Sequence, residues 1–259
     1  MEESPQNLRR RARHAARAAS FLVLMALLAF APRGADAQRR VTKEYPATRS
    51  VRLYLKNRSG TVTVEAWDKN KVRITATMES SSTKMLPEVS GDGVTVDIER
   101  ENREDTGDVN FIIQVPAAST VDIQTKLGNI IVRNIRGEVV RARVSTEGDI
   151  ELTGIHAQTV VAENIRGNIL FDADLLDGGI YELKSVEGNI QLRINADSGF
   201  RLTATAPRTR NINLGGFAAS GQWEFRGDRR QVFGKVGLGG AALNTTNQNG
   251  SIVFYPRTR

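Results

Sequence analysis

Apolar and polar residues alternate along most of the chain after residue 40. Between Val41 and Val115 there are several runs of five to eight residues in which every second residue is apolar, as in Val72-Arg73-Ile74. A period of two places the apolar side chains on one face of a β-strand. No stretch after residue 40 has the apolar spacing of an amphipathic helix. The pattern therefore predicts a nearly all-β protein built from half-buried strands.

A short phrase, Gly-(Asn/Asp)-Ile, recurs in the second part of the chain. Four copies are separated by 20, 19 and 21 residues, and a degenerate copy and a closing variant follow them. Self-similarity at a fixed period near twenty is typical of a solenoid. Two strands of about 17 Å and two turns use about twenty residues, so each coil should hold two strands that pair with those of neighbouring coils. The six copies begin at Gly128, Gly148, Gly167, Gly188, Arg210 and Asn249.

Each residue of the phrase has a predicted structural role rather than a ligand-binding one. Glycine adopts positive φ without steric cost, and Asn or Asp can bond to the neighbouring backbone of a turn. Stacked copies would place these amide side chains in a column, an arrangement that stabilises stacked β-structure. The predicted turn and ladder residues are Gly128, Asn129, Gly148, Asp149, Gly167, Asn168, Gly188, Asn189, Asn211 and Gly250.

Changes in the pattern divide the chain into four predicted segments. The end coils of solenoids are irregular because they cover open sheet edges, and the glycine-rich end of this chain fits that rule. The segments are a signal peptide at 1–37, an N-terminal β-strand region packed on the solenoid at 38–116, solenoid repeats at 117–214, and C-terminal coils with a cap at 215–259.

The first 37 residues have the features of a secretory signal peptide. A basic leader precedes an uncharged apolar run from Phe21 to Ala31, and Ala35-Asp36-Ala37 supplies small residues before Gln38. This order predicts cleavage before Gln38. Because the apolar run is shorter than the roughly 20 residues of a membrane span, we expect an exported protein, periplasmic or extracellular, with no transmembrane segment in the mature chain.

Net charge gives little support to nucleic-acid binding. The full chain has a net charge of +7, but residues 38–259 contain 30 Lys and Arg against 26 Asp and Glu. These charges alternate in sign along the predicted strands, which is typical of a solvated face. We therefore expect no nucleic-acid partner. The chain has no cysteine, so burial and backbone pairing must hold the fold without disulfides.

Recognisable catalytic and metal-binding patterns are missing from the predicted mature chain. His156 is its single histidine and has no nucleophile motif nearby, and zinc would need several His or Cys ligands. Five aspartates lie in predicted turns without the spacing of a known calcium loop. We therefore expect no cofactor, no metal and no enzymatic activity. The aspartates are Asp105, Asp108, Asp172, Asp174 and Asp177.

Two alternative functions stay open from the residues alone. A carbohydrate-active β-helix enzyme would need a carboxylate pair within about 10 Å in a groove, and acidic residues precede the turn phrases with arginines nearby. An accessory protein of envelope stress or signalling would need no such pair. The residues considered for the enzyme are Glu147, Glu163 and Glu187, with Arg133, Arg141, Arg143 and Arg166.

Several of these phrases together resemble the bacterial DUF4097 family. The resemblance rests on Asn57 to Val64 with Trp67-Asp68, on Val115-Pro116, on the serial Gly-(Asn/Asp)-Ile phrases and on Asn249 to Ile252. It covers roughly residues 45 to 255 and implies a β-solenoid of the cell envelope or exterior with a provisional role as an adhesin. The family supplies no ligand residues. The expected function is thus an exported, non-enzymatic adhesin or envelope scaffold with an unidentified protein or polysaccharide partner.

Overall fold

The computed structural model describes residues 38–102 and 106–257. The predicted signal peptide at 1–37 and Asp105 of the aspartate group lie outside the described residues. Residues 38–259 form one compact unit.

Strands make up most of the described chain, in line with the prediction of an all-β protein. Two helices of four residues each interrupt them: α1 (Ile98–Glu101) and α2 (Phe217–Ser220). The strands are β1 (Arg39–Pro46), β2 (Arg52–Lys56), β3 (Val62–Trp67), β4 (Lys71–Met78), β5 (Glu88–Ser90), β6 (Gly93–Asp97), β7 (Val109–Pro116), β8 (Thr120–Leu127), β9 (Ile130–Arg133), β10 (Val139–Glu147), β11 (Ile150–Ile155), β12 (Thr159–Arg166), β13 (Ile169–Ala173), β14 (Ile180–Glu187), β15 (Ile190–Asn195), β16 (Phe200–Thr205), β17 (Ile212–Asn213), β18 (Gly221–Arg226), β19 (Gln231–Val236), β20 (Ala241–Asn249) and β21 (Ile252–Arg257).

The strands form two sheets, which we call sheet A and sheet B. Each coil runs along a strand of sheet B, turns at the glycine phrase and returns along a strand of sheet A. Neighbouring coils are parallel, so that each sheet is mainly parallel. The strand order is β1-β4-β7-β3-β9-β11-β13-β15-β21-β17 in sheet A and β18-β19-β16-β20-β14-β12-β10-β8-β2-β6-β5 in sheet B.

The isoleucines of the phrase form a column between the sheets, and all of them are buried except the half-buried Ile212. Ile150 pairs in register with Ile130 on one side and Ile169 on the other, and all three are buried. Burying one such side chain contributes about 1.5–3 kcal/mol relative to leaving it exposed. One coil cannot bury its own apolar face, so the stack supplies the core. The prediction of a β-solenoid with two strands in each coil of about twenty residues is confirmed.

The coils at the C-terminal end do not follow the order of the chain. Ile252 of β21 pairs with Ile190 of β15 and with Ile212 of β17. Ser251 therefore lies between Asn189 and Asn211, and the prediction that Asn211 comes next to Asn189 in the column is wrong. The nine residues of β20 and six of β21 match the long open edges of β14 and β15, whereas β17 has only two residues. Longer strands satisfy more backbone groups at those edges.

The N-terminal region shows the same departure from chain order. Strands β2 and β3 pair with β8 and β9, and the later strands β6 and β7 lie outside them. Strands β2 and β3 thus supply one coil, and strands β6 and β7 supply another, to the same two sheets. Antiparallel strands then extend the ends: β4 and β1 beyond β7, β5 beyond β6, and β19 and β18 beyond β16.

An aromatic cluster fills the C-terminal end of the core. The ring centroids of Phe200 and Phe217 are 5.3 Å apart, and each lies 6.4 Å from that of Phe254. Helix α2 carries Phe217 into this cluster, and the carbonyl of Phe217 accepts a hydrogen bond of 3.1 Å from the Trp223 indole. The half-buried Trp223 packs against the core at this end.

Candidate functional site

The glycines of the turn phrase lie in a column where neighbouring coils come closest. Gly167 has a φ of 129°, and a Cβ added there would lie 2.3 Å from the carbonyl oxygen of Gly148. The same approach recurs at Gly128, Gly148 and Gly188, with 2.0–2.3 Å to the carbonyl oxygen of the glycine one coil earlier. A side chain at these positions would collide with backbone. The glycines are therefore accounted for by the stacking of the coils.

The Asn and Asp residues of the phrase form a ladder of side-chain to backbone hydrogen bonds. The Oδ1 atom of Asn129 accepts from the backbone N–H of Asp149 at 2.9 Å, and that of Asp149 accepts from Asn168 at 2.6 Å. Asn168 then accepts from Asn189 at 3.0 Å, and Asn189 accepts from Ser251 at 3.1 Å. Each bond ties one coil to the next. These side chains are thus engaged in the turn.

A second polar column lies inside the turn and was missed from the sequence. The Nδ2 group of Asn247 donates to the carbonyl oxygens of Gly188 and Ser251 at 2.8 and 3.1 Å, and that of Asn164 donates to Gly148 at 3.2 Å. These buried groups satisfy backbone acceptors that the turn leaves open. A polar residue three positions before a turn glycine is the signal that could have found them. The column consists of Asn57, Thr125, Asn164, Ser185 and Asn247, and the apolar Val144 interrupts it between Thr125 and Asn164.

Charged side chains pair across the outer face of sheet B. Glu163 lies 2.8 Å from Arg143 and 3.4 Å from Lys184, the residues in register with it on the two adjacent strands. Asp122 and Arg141 are 3.7 Å apart on a neighbouring row. Partial burial raises the pKa of the Glu163 carboxyl, but the hydrogen bond and charge of Arg143 and the charge of Lys184 outweigh it. The pKa therefore lies below its ordinary value of 4.5.

We expect Glu163→Gln to destabilise the protein by about 0.3–1 kcal/mol at neutral pH, the usual range for exposed ion pairs. A depressed pKa in the folded state contributes stability that is present above the ordinary pKa and is lost as the pH falls through the folded value. The difference between wild type and variant should thus be full above about pH 4.5 and vanish at lower pH. Urea unfolding at a series of pH values measures it.

Glu138→Gln is the matched control, because Glu138 is exposed and forms no ion pair with the residues that the structure describes. It should change the stability little at any pH. A difference between wild type and Glu163→Gln that persists unchanged at pH 3 would contradict the electrostatic explanation.

The three glutamates considered for catalysis lie on two different rows of sheet B. Glu147 lies 3.5 Å from Arg166, and the strand that carries Arg166 runs between those that carry Glu147 and Glu187. Glu163 lies on another row, between its own cationic partners. The structure therefore separates the three carboxylates by positively charged neighbours.

The histidine lies close to two of the aspartates, which share an arginine partner. His156 Nδ1 is 3.7 Å from Asp174, and both side chains are about half exposed. Arg257 pairs with both Asp172 and Asp174. Over residues 38–102 and 106–257, no three His, Cys, Asp or Glu side chains come together in a way that could hold a metal ion.

The outer face of sheet B has a shallow depression at its C-terminal end, with a volume of about 560 Å³. It spans β16, β19 and β18, three strands joined by antiparallel pairing. The guanidinium of Arg226 lies 4.9 Å from the ring centroid of Phe233. The Nε group of Arg226 donates a hydrogen bond of 2.7 Å to the Glu224 carboxylate. The side chains that extend from the outer face into the depression are Arg201, Thr203, Gln222, Glu224, Phe233 and Lys235.

Comparison with protein families identifies the family to which the chain belongs. The family model Toastrack DUF4097 matches residues 46–207, which is more than half of the chain. The chain belongs to the Toastrack DUF4097 family. The Toastrack match starts at the end of β1 and ends after β16, so the depression is built partly from residues beyond it. The resemblance seen in the sequence is confirmed.

Two solved structures match this chain at low sequence identity. One, described as a "putative cell adhesion protein" of Clostridium sporogenes, has 11% identity and a TM-score of 0.52, and the match covers 85% of this chain and 100% of that one. Another, described as a "putative adhesin" of Bacteroides fragilis, has 10% identity and a TM-score of 0.32 and covers 85% and 99%. The first supports the fold alone.

No curated protein matches the chain. Among the helices of the described residues, none combines the length and the apolar character that a membrane span requires.

Proposed function

We propose that the protein is an exported, non-enzymatic adhesin or envelope scaffold that presents the outer faces of its stacked coils to a partner. This proposal rests on the observation that the repeated residues have structural roles in the turns. The glycines and the Asn or Asp side chains of the four regular copies serve coil stacking. What is left for recognition is the surface of two long sheets. A rigid scaffold with extended faces is the way in which solenoids bind large partners.

The family and one structural neighbour support the same class of function. The chain belongs to the Toastrack DUF4097 family, and the structural neighbour with a TM-score of 0.52 is described as a putative cell adhesion protein. The features of residues 1–37 favour export before any binding occurs. Together these observations favour attachment outside the cytoplasm over a role in the cytosol.

Fractionation of bacteria that produce the full chain tests compartment and role together. We expect a product that begins at Gln38, by mass spectrometry, in the periplasm or the medium. The purified product should bind to cells or isolated envelopes in a sedimentation assay. A matched cytoplasmic β-protein serves as the control for non-specific sedimentation. A full-length product that stays in the cytosol, or one that never sediments with envelopes, would overturn the proposal.

The enzymatic alternative is tested on the same product. Incubation with envelope and plant polysaccharides should release no reducing ends above the level of a heat-denatured sample. If sugar is released, and if Glu147→Gln or Glu187→Gln abolishes the release while Glu138→Gln does not, the protein is a hydrolase and the non-enzymatic proposal is wrong.

A further inference from the structure

An insertion near the C-terminal end carries the net charge of the described fold. Residues 196–240 leave the coil of β14 and β15 and return to β20, which pairs with that same coil. This segment contains seven Lys and Arg against three Asp and Glu, whereas the rest of residues 38–259 contains 23 of each. The body of the solenoid is therefore formally neutral, and the positive field of the protein originates in the insertion.

The insertion also builds the depression on the outer face of sheet B. Lys235 stands in register between Arg201 and Gln222 on the adjacent strands. The next row, in the same way, places Phe233 between Thr203 and Glu224. Strands in a sheet are about 4.8 Å apart, so each row spans about 10 Å. The volume of about 560 Å³ lies within the usual range of ligand pockets.

The side chains of these two rows suit a charged sugar. Phe233 is half-buried, and its ring offers an apolar surface of the kind against which the C–H face of a pyranose can pack. Arg201 and Lys235 can bind carboxylates, Arg by a planar fork and Lys as a point charge. Gln222 can donate and accept hydrogen bonds with hydroxyl groups. The contact of Arg226 with Phe233 and its ion pair with Glu224 hold one side of the depression in place.

We propose that this depression binds an acidic polysaccharide of the uronate type, with one sugar ring against Phe233 and carboxylates at Arg201 and Lys235. Charge complementarity selects this occupant over a neutral glycan, because Arg201 and Lys235 line the depression and Arg226 lies against Phe233 at its side. The inference rests on the proposed function, since it names the class of surface that the adhesin recognises.

Polygalacturonate and neutral dextran are the probes for the test, with the exported product as the protein. In affinity electrophoresis or calorimetry we expect binding to polygalacturonate that weakens as salt is raised, and no binding to dextran. Phe233→Ala and the double variant Arg201→Gln/Lys235→Gln should each weaken binding at least about ten-fold, as expected for central contacts of a site. Circular dichroism and thermal unfolding verify that the variants fold, and Phe233→Leu serves as a milder substitution if the alanine variant does not.

The matched control is Arg141→Gln/Arg143→Gln, which removes the same charge from the outer face of the same sheet, among the neutral coils. It should change the affinity no more than about two-fold, because local contacts dominate at a specific site. Equal weakening by both double variants would show non-specific attraction and overturn the site. Binding to phosphatidylglycerol vesicles, with no binding to polygalacturonate, would overturn it in favour of a membrane surface.

The site and the proposed function can fail separately. If Arg201→Gln/Lys235→Gln still sediments with envelopes as the wild type does, and polygalacturonate does not bind, adhesion stands and the site is wrong. If the wild type binds polygalacturonate but never envelopes, the site stands and the adhesin role is wrong.

Discussion

Replacing Gly167 by alanine should destabilise the protein by roughly 2–6 kcal/mol, the sum of about 1–3 kcal/mol for a backbone conformation that L-residues avoid and about 1–3 kcal/mol for overpacking. Its φ is 129°, and the new methyl group would start 2.3 Å from the carbonyl oxygen of Gly148. That oxygen belongs to backbone in the adjacent coil, so it cannot turn aside as a flexible side chain could. Urea unfolding measures the loss, with the slope of the transition checked for a change in the surface exposed.

Gly91→Ala is the matched control for this prediction. Gly91 also has a positive φ, of 59°, but nothing lies within 4 Å of the position of its Cβ. We expect a loss of about 1–2 kcal/mol there, from the backbone conformation alone. Equal losses at Gly91 and Gly167 would show that the close approach of the coils is not what requires glycine in the phrase.

Phe171→Ala should cost about 3–5 kcal/mol, the usual range for removing a buried aromatic side chain. Phe171 is fully buried and pairs in register with Leu152 and Leu192 on the adjacent coils. Its ring also lies 5.8 Å from that of Tyr181 across the core. Because stacked coils on both sides hold the space open, the cavity cannot close by a small shift. Thermal and urea unfolding, followed by circular dichroism, measure the loss.

Phe225→Ala removes the same atoms from a surface position and serves as the control. Phe225 is 50% exposed, and its contact with the Arg229 guanidinium at 5.6 Å is an exposed cation–π pair. Such a pair contributes about 0.5–1 kcal/mol, so the loss should stay near or below that range. If Phe171→Ala lowered the free energy of unfolding no more than Phe225→Ala does, the core would be able to close the cavity, and the argument from the stacked coils would be wrong.

The coil could be predicted from the sequence because its determinants are local. Alternation with a period of two gives the strands, and the interval between Gly148 and Gly167 gives the coil length. The turn of a regular repeat needs a glycine because a side chain there would collide with the backbone of the adjacent coil. Local patterns of this kind survive in a single sequence.

The order of the end coils could not be predicted, because it depends on competition between distant segments. Asn211-Ile212 and Ser251-Ile252 carry similar local signals, and either could have paired with Ile190. Strand length decides in favour of the later segment. The buried Asn247 was missed for another reason: a polar residue near a turn resembles the start of a loop, and only the paired coils show that it points inward.

The depression was also beyond sequence reasoning. Its rows combine residues of β16, β18 and β19, which meet only through antiparallel pairing at the end of sheet B. Phe233, Arg201 and Lys235 form no motif along the chain. Each has the ordinary character of a strand residue on a solvated face, so its surroundings become visible only in the folded protein.

The position of β20 and β21 after the insertion has a consequence for folding. These strands follow β16 to β19 in the chain, yet they pair directly with β14 and β15 and hold β16 beyond them. Before β20 and β21 pair, the edges of β14 and β15 are open and β16 has no parallel neighbour in sheet B. The pairing is long-range, which slows its formation. Without β20, strands β16, β19 and β18 would therefore lose their link to β14, so that the docking of the insertion depends on a strand that follows it in the chain.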